Sequence, residues 1–172
     1  MIEETFPVEW GTPNEKTVTW FDPALTRDAV RTMSGLEALR AMRDGKIPAA
    51  PIGRTLGFRI TEVEEGRVEF AGTPDSSVYN PIGSVHGGLA CTLLDSVLGC
   101  AVHTTLPAGV GYTSIELKVN YLRGISADTG PITARGWVTK PGRRVAFSDA
   151  EIVDSDGKVL ATATGSCLII GS

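Results

Sequence analysis

Between Gly87 and Thr105 the chain sets Leu89, Ala90, Leu93, Leu94, Val97, Leu98, Ala101 and Val102 around both faces of a helix. A helix that is apolar all round offers no side to water, so the rest of the chain must enclose it. At about 1.5 Å per residue it runs roughly 27 Å, the width of a small sheet.

The remaining sequence supplies strands for that enclosure. Leu56, Phe58 and Ile60 alternate with Gly57, Arg59 and Thr61, and after a turn at Glu65 and Gly66 the two-residue period continues through Val68 and Phe70, which predicts a hairpin. Past the helix, Ile115, Leu117, Val119 and Tyr121 alternate against Glu116, Lys118 and Asn120 in a strand over 114–122. Three more strands are expected near 130–140, 143–154 and 158–170, joined by tight turns at Pro141-Gly142 and Asp156-Gly157 that force antiparallel neighbours. The pattern predicts an α+β fold, an antiparallel sheet curled around one long central helix. The strand from Val159 to Ile170 carries small or apolar residues on both sides, so another copy of the chain is expected to cover the second face.

An N-terminal extension precedes this domain. Residues 1–20 hold Trp10 and Trp20 without periodicity and read as an arm laid on a surface. Asp22 before Pro23 is an N-cap with proline in the first helical position, and Ser34 with Glu37 makes a capping box, so helices are predicted over 23–33 and 35–44. Leu36, Leu39 and Met42 give the second an apolar face, and Gly45, Pro48 and Pro51 end it. The division is 1–51 for arm and short helices and 52–172 for the sheet-and-helix domain.

Composition excludes several classes. The net charge of −4, with pI near 5.2, makes nucleic acid an unexpected partner. Cys91, Cys100 and Cys167 are widely spaced in apolar sequence, with neither a disulfide framework nor a metal-ligand spacing, which fits a reducing cytoplasm. The start, with Glu3, Glu4, Glu9 and Glu15 and no apolar run, leads us to expect no signal peptide. The most apolar stretch, 76–115, is broken by Pro81, Gly83, Gly87, Gly88 and Pro107, so no membrane span is expected.

Across the forty residues from Ser76 to Ile115 there is one formal charge, Asp95, and both histidines, His86 and His103, lie there too. Burying an unpaired carboxylate costs several kcal/mol, so an acid midway along an apolar helix needs a partner or a purpose. Its bland alternative is a thin polar stripe with Cys91, Thr92 and Ser96. The loop Asn80-Pro81-Ile82-Gly83-Ser84-Val85-His86-Gly87-Gly88 leads into the helix, where the amides of Gly87 and Gly88 suit a carbonyl oxygen gaining negative charge. Singly, each loop residue has a structural reading: Asn80 fixes an Asx turn, the glycines turn the chain, and His86 satisfies a buried carbonyl. His103, near the far end of the helix, reads as structural, meeting orphan carbonyls.

Asn80, Pro81, Gly83, His86, Gly87 and Gly88, followed by Asp95 in the third turn of the helix, resemble the PaaI-like acyl-CoA thioesterases of the hotdog-fold superfamily. The resemblance implies Asp95 as nucleophile or general base, Gly87 as the main oxyanion amide, and His86 and Asn80 as groups holding thioester and water. It also implies a homodimer, assembled as a dimer of dimers, with Asp95 from one chain and the Asn80–Gly88 loop from its mate. Ser114, or Thr113 beside it, matches a hydroxyl residue on the strand after the helix. CoA is then part of the substrate and no separate cofactor is expected. Arg143 and Arg144 on a tight turn, or Arg123, could meet its phosphates.

No GxSxG elbow is present and no cysteine has a histidine beside it, so a nucleophilic triad finds no support. Two other readings remain at this stage. One is a hotdog enoyl hydratase or dehydratase. The other is an acyl-CoA-binding regulator carried on the 23–44 helices, whose mix of Asp28, Glu37 and Asp44 with Arg27, Arg31, Arg40 and Arg43 suits DNA poorly.

Overall fold

A computed structural model describes residues 6–171; the first five residues of the expected arm lie outside it. Four helices, α1 (Pro23–Ala29), α2 (Gly35–Arg43), α3 (Pro51–Leu56) and α4 (Gly87–His103), accompany six strands, β1 (Phe58–Glu64), β2 (Arg67–Gly72), β3 (Gly111–Tyr121), β4 (Ile132–Lys140), β5 (Val145–Asp154) and β6 (Val159–Ile170). The strands form one sheet in the order β1-β2-β4-β5-β6-β3, every pair antiparallel. This is the expected α+β architecture, with β3 along one edge and α4 packed across the sheet.

The apolar periods account for the packing. Leu93, Leu94 and Val97 of α4 are almost fully enclosed against Val68, Ile132 and Ile152 from the strands. Each such side chain contributes about 1.5–3 kcal/mol by leaving water. Close approach of helix to sheet depends on Gly136: a Cβ there would stand 2.5 Å from the Val97 carbonyl oxygen. The outward side of the sheet keeps Phe147 and Ile170 exposed in the single chain. Among the described residues no helix is long and apolar enough to cross a membrane.

Local chemistry sets the N-terminal elements as expected at two points. Asp22 caps α1 through Ala24 N–H, and Ser34 and Glu37 make the reciprocal capping box of α2. The helix read over 23–33 changes to a 3-10 turn at Val30–Thr32. The arm contains a 3-10 turn at Val8–Trp10, and Lys16 ties it down by an ion pair to Asp75 at 2.9 Å.

One reading is corrected. Pro51, taken as a helix terminator, instead occupies the first turn of α3, where its missing N–H costs nothing; Gly57, at φ +76°, closes that helix. Leu56 is therefore helical, and the alternation of β1 begins only at Phe58. Leu39 of α2 joins the same core as α4, so the extension packs directly on the sheet-and-helix body.

Candidate active site

The loop before α4 is shaped by Asn80. Its Oδ1 accepts from the N–H groups of Ile82 (3.1 Å) and Ser84 (3.2 Å), while its Nδ2 donates to Ser84 Oγ at 3.0 Å. Asn80 thus uses its side chain on its own loop, as an Asx turn does. Two backbone bonds, Val85 N–H to Ile125 O and His86 N–H to Val78 O, both 2.8 Å, pin the loop to its neighbours.

His86 is the N-cap of α4, and its Nδ1 accepts from Gly88 N–H at 2.8 Å. The ring proton therefore sits on Nε2, available as a donor on the exposed side. This corrects the expectation of two free amides, because the Gly88 amide is consumed by the cap. The Gly87 N–H has no acceptor among the described residues and stands at the positive end of a 17-residue helix.

Tyr121, read from the sequence only as part of the β3 alternation, donates its hydroxyl to the Gly87 carbonyl (3.2 Å) and lies 2.9 Å from Cys91 Sγ. Only its position at the end of β3, opposite the loop, brings it there. Gly87, Tyr121 and Arg123 share an open cleft of about 410 Å³.

Asp95 faces a different cavity, of about 450 Å³. Ser114 Oγ donates to Asp95 Oδ1 at 2.8 Å, so of the two hydroxyls considered, Ser114 touches the carboxylate while Thr113 lines the same space. Met42 of α2 and Ile52 of α3 form part of the wall with Phe58, Tyr112 and Cys100. Burial pushes the Cys100 thiol up to about 12 and raises the Tyr112 phenol well above its ordinary value, so both stay neutral. The charges left in the cavity are Asp95 and, at its rim, Arg59.

Along α4, Asp95 lies eight positions beyond Gly87, about 12 Å at 1.5 Å per residue. A carbonyl under attack needs its carbon roughly 3–3.5 Å from the nucleophile and its oxygen near the donor, which that spacing forbids within one chain. One chain therefore holds a carboxylate with a hydroxyl partner in one cleft and a helix-terminal amide without an acceptor in another.

Three other residues lie apart from both clefts. His103 packs against Tyr112 in a tilted ring pair, centroids 5.3 Å apart, rather than meeting the helix-end carbonyls, and burial lowers its pKa. Arg143 and Arg144 stand on the β4–β5 connection and line neither cleft. Among the described residues no group of His, Cys, Asp and Glu could hold a metal ion.

The family described as the Thioesterase superfamily matches residues 82–161, a span that includes Gly87, Asp95 and Ser114. A Saccharolobus solfataricus protein classed with the esterases is 28% identical over 134 residues, covering 78% of this chain and 94% of that one. The acyl-coenzyme A thioesterase PaaI of Escherichia coli is 28% identical over 119 residues, 69% of this chain and 81% of its own. A solved structure from Ralstonia eutropha, of a thioesterase-class protein related to phenylacetic acid degradation, has 31% identity and a TM-score of 0.68, over 76% of this chain and 98% of that one. The structure of E. coli PaaI, at 24% identity and TM-score 0.70 over 83% of this chain and 97% of its own, shares the fold. With a carboxylate, a hydroxyl and a helix-terminal amide in place and these relatives around it, the chain belongs to the PaaI-like thioesterases of the hotdog-fold superfamily, hydrolases of acyl-CoA thioesters.

Proposed function

We propose that the protein cleaves aryl or medium-chain acyl-CoA esters to free acid and CoA at sites shared by two copies of the chain, Asp95 from one and the Gly87 amide from the other. The roughly 12 Å that separates these groups along α4 carries this reading.

The edge strand β3 supports the pairing. Its outer side has no partner strand in the sheet, and it exposes Ile115 and Tyr121. Antiparallel pairing of β3 with its own copy about a two-fold axis lays the Ser114 end of one chain beside the Tyr121 end of the other. That brings a carboxylate cavity toward the mate's Gly87 cleft. The exposed Phe147 and Ile170 on the outer sheet face suit a second contact, which makes a dimer of dimers. The three free cysteines fit a cytoplasmic setting.

In the reaction the thioester oxygen takes the Gly87 N–H as it gains charge, helped by the α4 dipole, and the exposed Nε2–H of His86 is placed to donate to substrate or water. Asp95, oriented by Ser114, either takes a proton from the attacking water or attacks the carbonyl carbon itself to give an anhydride that water opens. In both routes the thiolate leaves with its bonding pair and needs little acid assistance.

A panel of acyl-CoA esters assayed for thiol release tests the proposal. Asp95→Asn is expected to stay folded and lose most turnover; retained activity overturns the assignment. Enoyl formation in place of thiol release would point to the hydratase chemistry of related folds. A single turnover in 18O water bears on the routes: label in Asp95 requires an anhydride opened at the Asp95 carbon, whereas general-base attack puts label in the product acid alone.

A further inference from the structure

We infer that Arg54 and Arg59, with Arg43 beside them, form an oxyanion-binding mouth to the Asp95 cavity, where a phosphate or carboxylate on the substrate is held at the end away from the thioester. The inference rests on the reading of Asp95 as the reacting end.

Charge is the first observation. The chain carries a net −4, yet residues 40–59 hold five basic side chains (Arg40, Arg43, Lys46, Arg54 and Arg59) against one acidic, Asp44. Such a local reversal on an otherwise repelling surface draws in anions.

The second observation is the cavity. Beside the Asp95 cavity lies a larger one, of about 810 Å³, and the two share Met42, Phe58, Arg59 and Ile60 as lining. Together they make one continuous cleft. It begins at Asp95 and Ser114, passes an apolar stretch, and opens among Arg43, Arg54 and Arg59. That order suits an elongated ligand with a carbonyl at one end, little charge along its middle and an oxyanion at the other.

Pairing is the third. Arg67 and Arg135 on the sheet are committed to Glu69 and Glu151, and Arg43 is shared with Asp44 at 2.9 Å. Among the described residues no carboxylate pairs with Arg54 or Arg59. Two guanidinium groups without acidic partners, on the rim of one cleft, present planar donor forks to a phosphate or carboxylate. The three arginines lie outside residues 82–161, the part that matches the thioesterase family. They come from α2, α3 and the start of β1, so this mouth forms where the N-terminal helices meet the first strand of the sheet.

The experiment compares wild type with Arg54→Gln/Arg59→Gln, both exposed positions outside the packed core. Substrates are an acyl-CoA, its dephospho form lacking the 3′-phosphate, the acyl-pantetheine lacking all phosphates, and an acyl-pantetheine with a terminal carboxylate. The double variant is expected to raise KM about tenfold for the anion-bearing substrate, with kcat within about twofold, and to flatten the dependence of KM on salt.

A rise seen with acyl-CoA but not with the uncharged acyl-pantetheine identifies phosphate as the anion, and the dephospho form says which phosphate. A rise confined to the terminal carboxylate identifies the acyl end. Unmoved KM for every substrate overturns the inference, as does an equal rise with the uncharged acyl-pantetheine, which would mark a structural role. Should the wild type hydrolyse no acyl-CoA at all, the reading of Asp95 fails and this one with it, a result distinct from hydrolysis with KM unmoved.

Discussion

Replacing Gly87 by proline removes one hydrogen atom of the proposed chemistry while leaving the helix its start. Position 87 is the first residue of α4, where proline is at home because its nitrogen would have no intrahelical acceptor. The preceding His86 already has φ −62° and ψ 133°, the extended conformation that a following proline requires. A Cβ at position 87 would meet the end of Tyr121, 2.9 Å from its hydroxyl and 3.0 Å from Cζ; that side chain is exposed and can swing away. Stability should therefore change by less than about 1 kcal/mol in either direction. Losing the N–H that receives the charged oxygen should lower kcat by about 10²- to 10³-fold. Thermal melting measures the first effect and thiol release from an acyl-CoA ester the second. An unchanged melting temperature with unchanged kcat would remove the Gly87 amide from the mechanism.

Three further perturbations follow from the same geometry. Ser114→Ala deletes the 2.8 Å bond to Asp95 and should lower kcat about tenfold, whereas Thr113→Val, with no such bond, should cost less than about threefold; the reverse ranking in steady-state assays would reassign the hydroxyl. Burial holds the His103 imidazole below its ordinary value, so below about pH 6.5 the unfolded chain takes up a proton that the folded chain resists. Stability from this group is complete above that pH and falls as pH drops toward the folded-state value; melting scans from roughly pH 7.5 to 5 should show a decline in wild type that His103→Gln lessens, and identical slopes would contradict the account. Gly136→Ala would set a methyl 2.5 Å from the Val97 carbonyl oxygen, a backbone atom that cannot step aside, and should cost about 1–3 kcal/mol by chemical denaturation. A neutral result would show that α4 and β4 are not in the contact described.

Much of this fold was legible because two periodicities are unusually clean. The all-round apolar pattern of α4 and the alternation of β3 each demand one conformation, and the turns Pro141-Gly142 and Asp156-Gly157 leave only antiparallel neighbours. Asp95 stood out because nothing else in forty residues is charged. The misses have local causes. Pro51 can end one helix or begin another, and only the left-handed Gly57 six residues on distinguishes the cases. His86 taking the Gly88 amide is a contact two residues away in sequence that pattern reading does not weigh. Tyr121 on Gly87 arises from a strand end and a helix end meeting in space, which no spacing along the chain encodes.

The shared nature of the site is open to a mixing experiment with Asp95→Asn and Gly87→Pro. Each protein alone should be nearly inactive, one lacking the carboxylate and the other the amide. After unfolding together and refolding at equal amounts, half the dimers are mixed. If each site draws Asp95 from one chain and Gly87 from the other, every mixed dimer holds one site with both defects and one intact site, so about a quarter of wild-type activity should return. If both groups act from the same chain, every site in every dimer keeps one defect. In that case no activity would return on mixing, and the proposal of a site built across two copies would be contradicted.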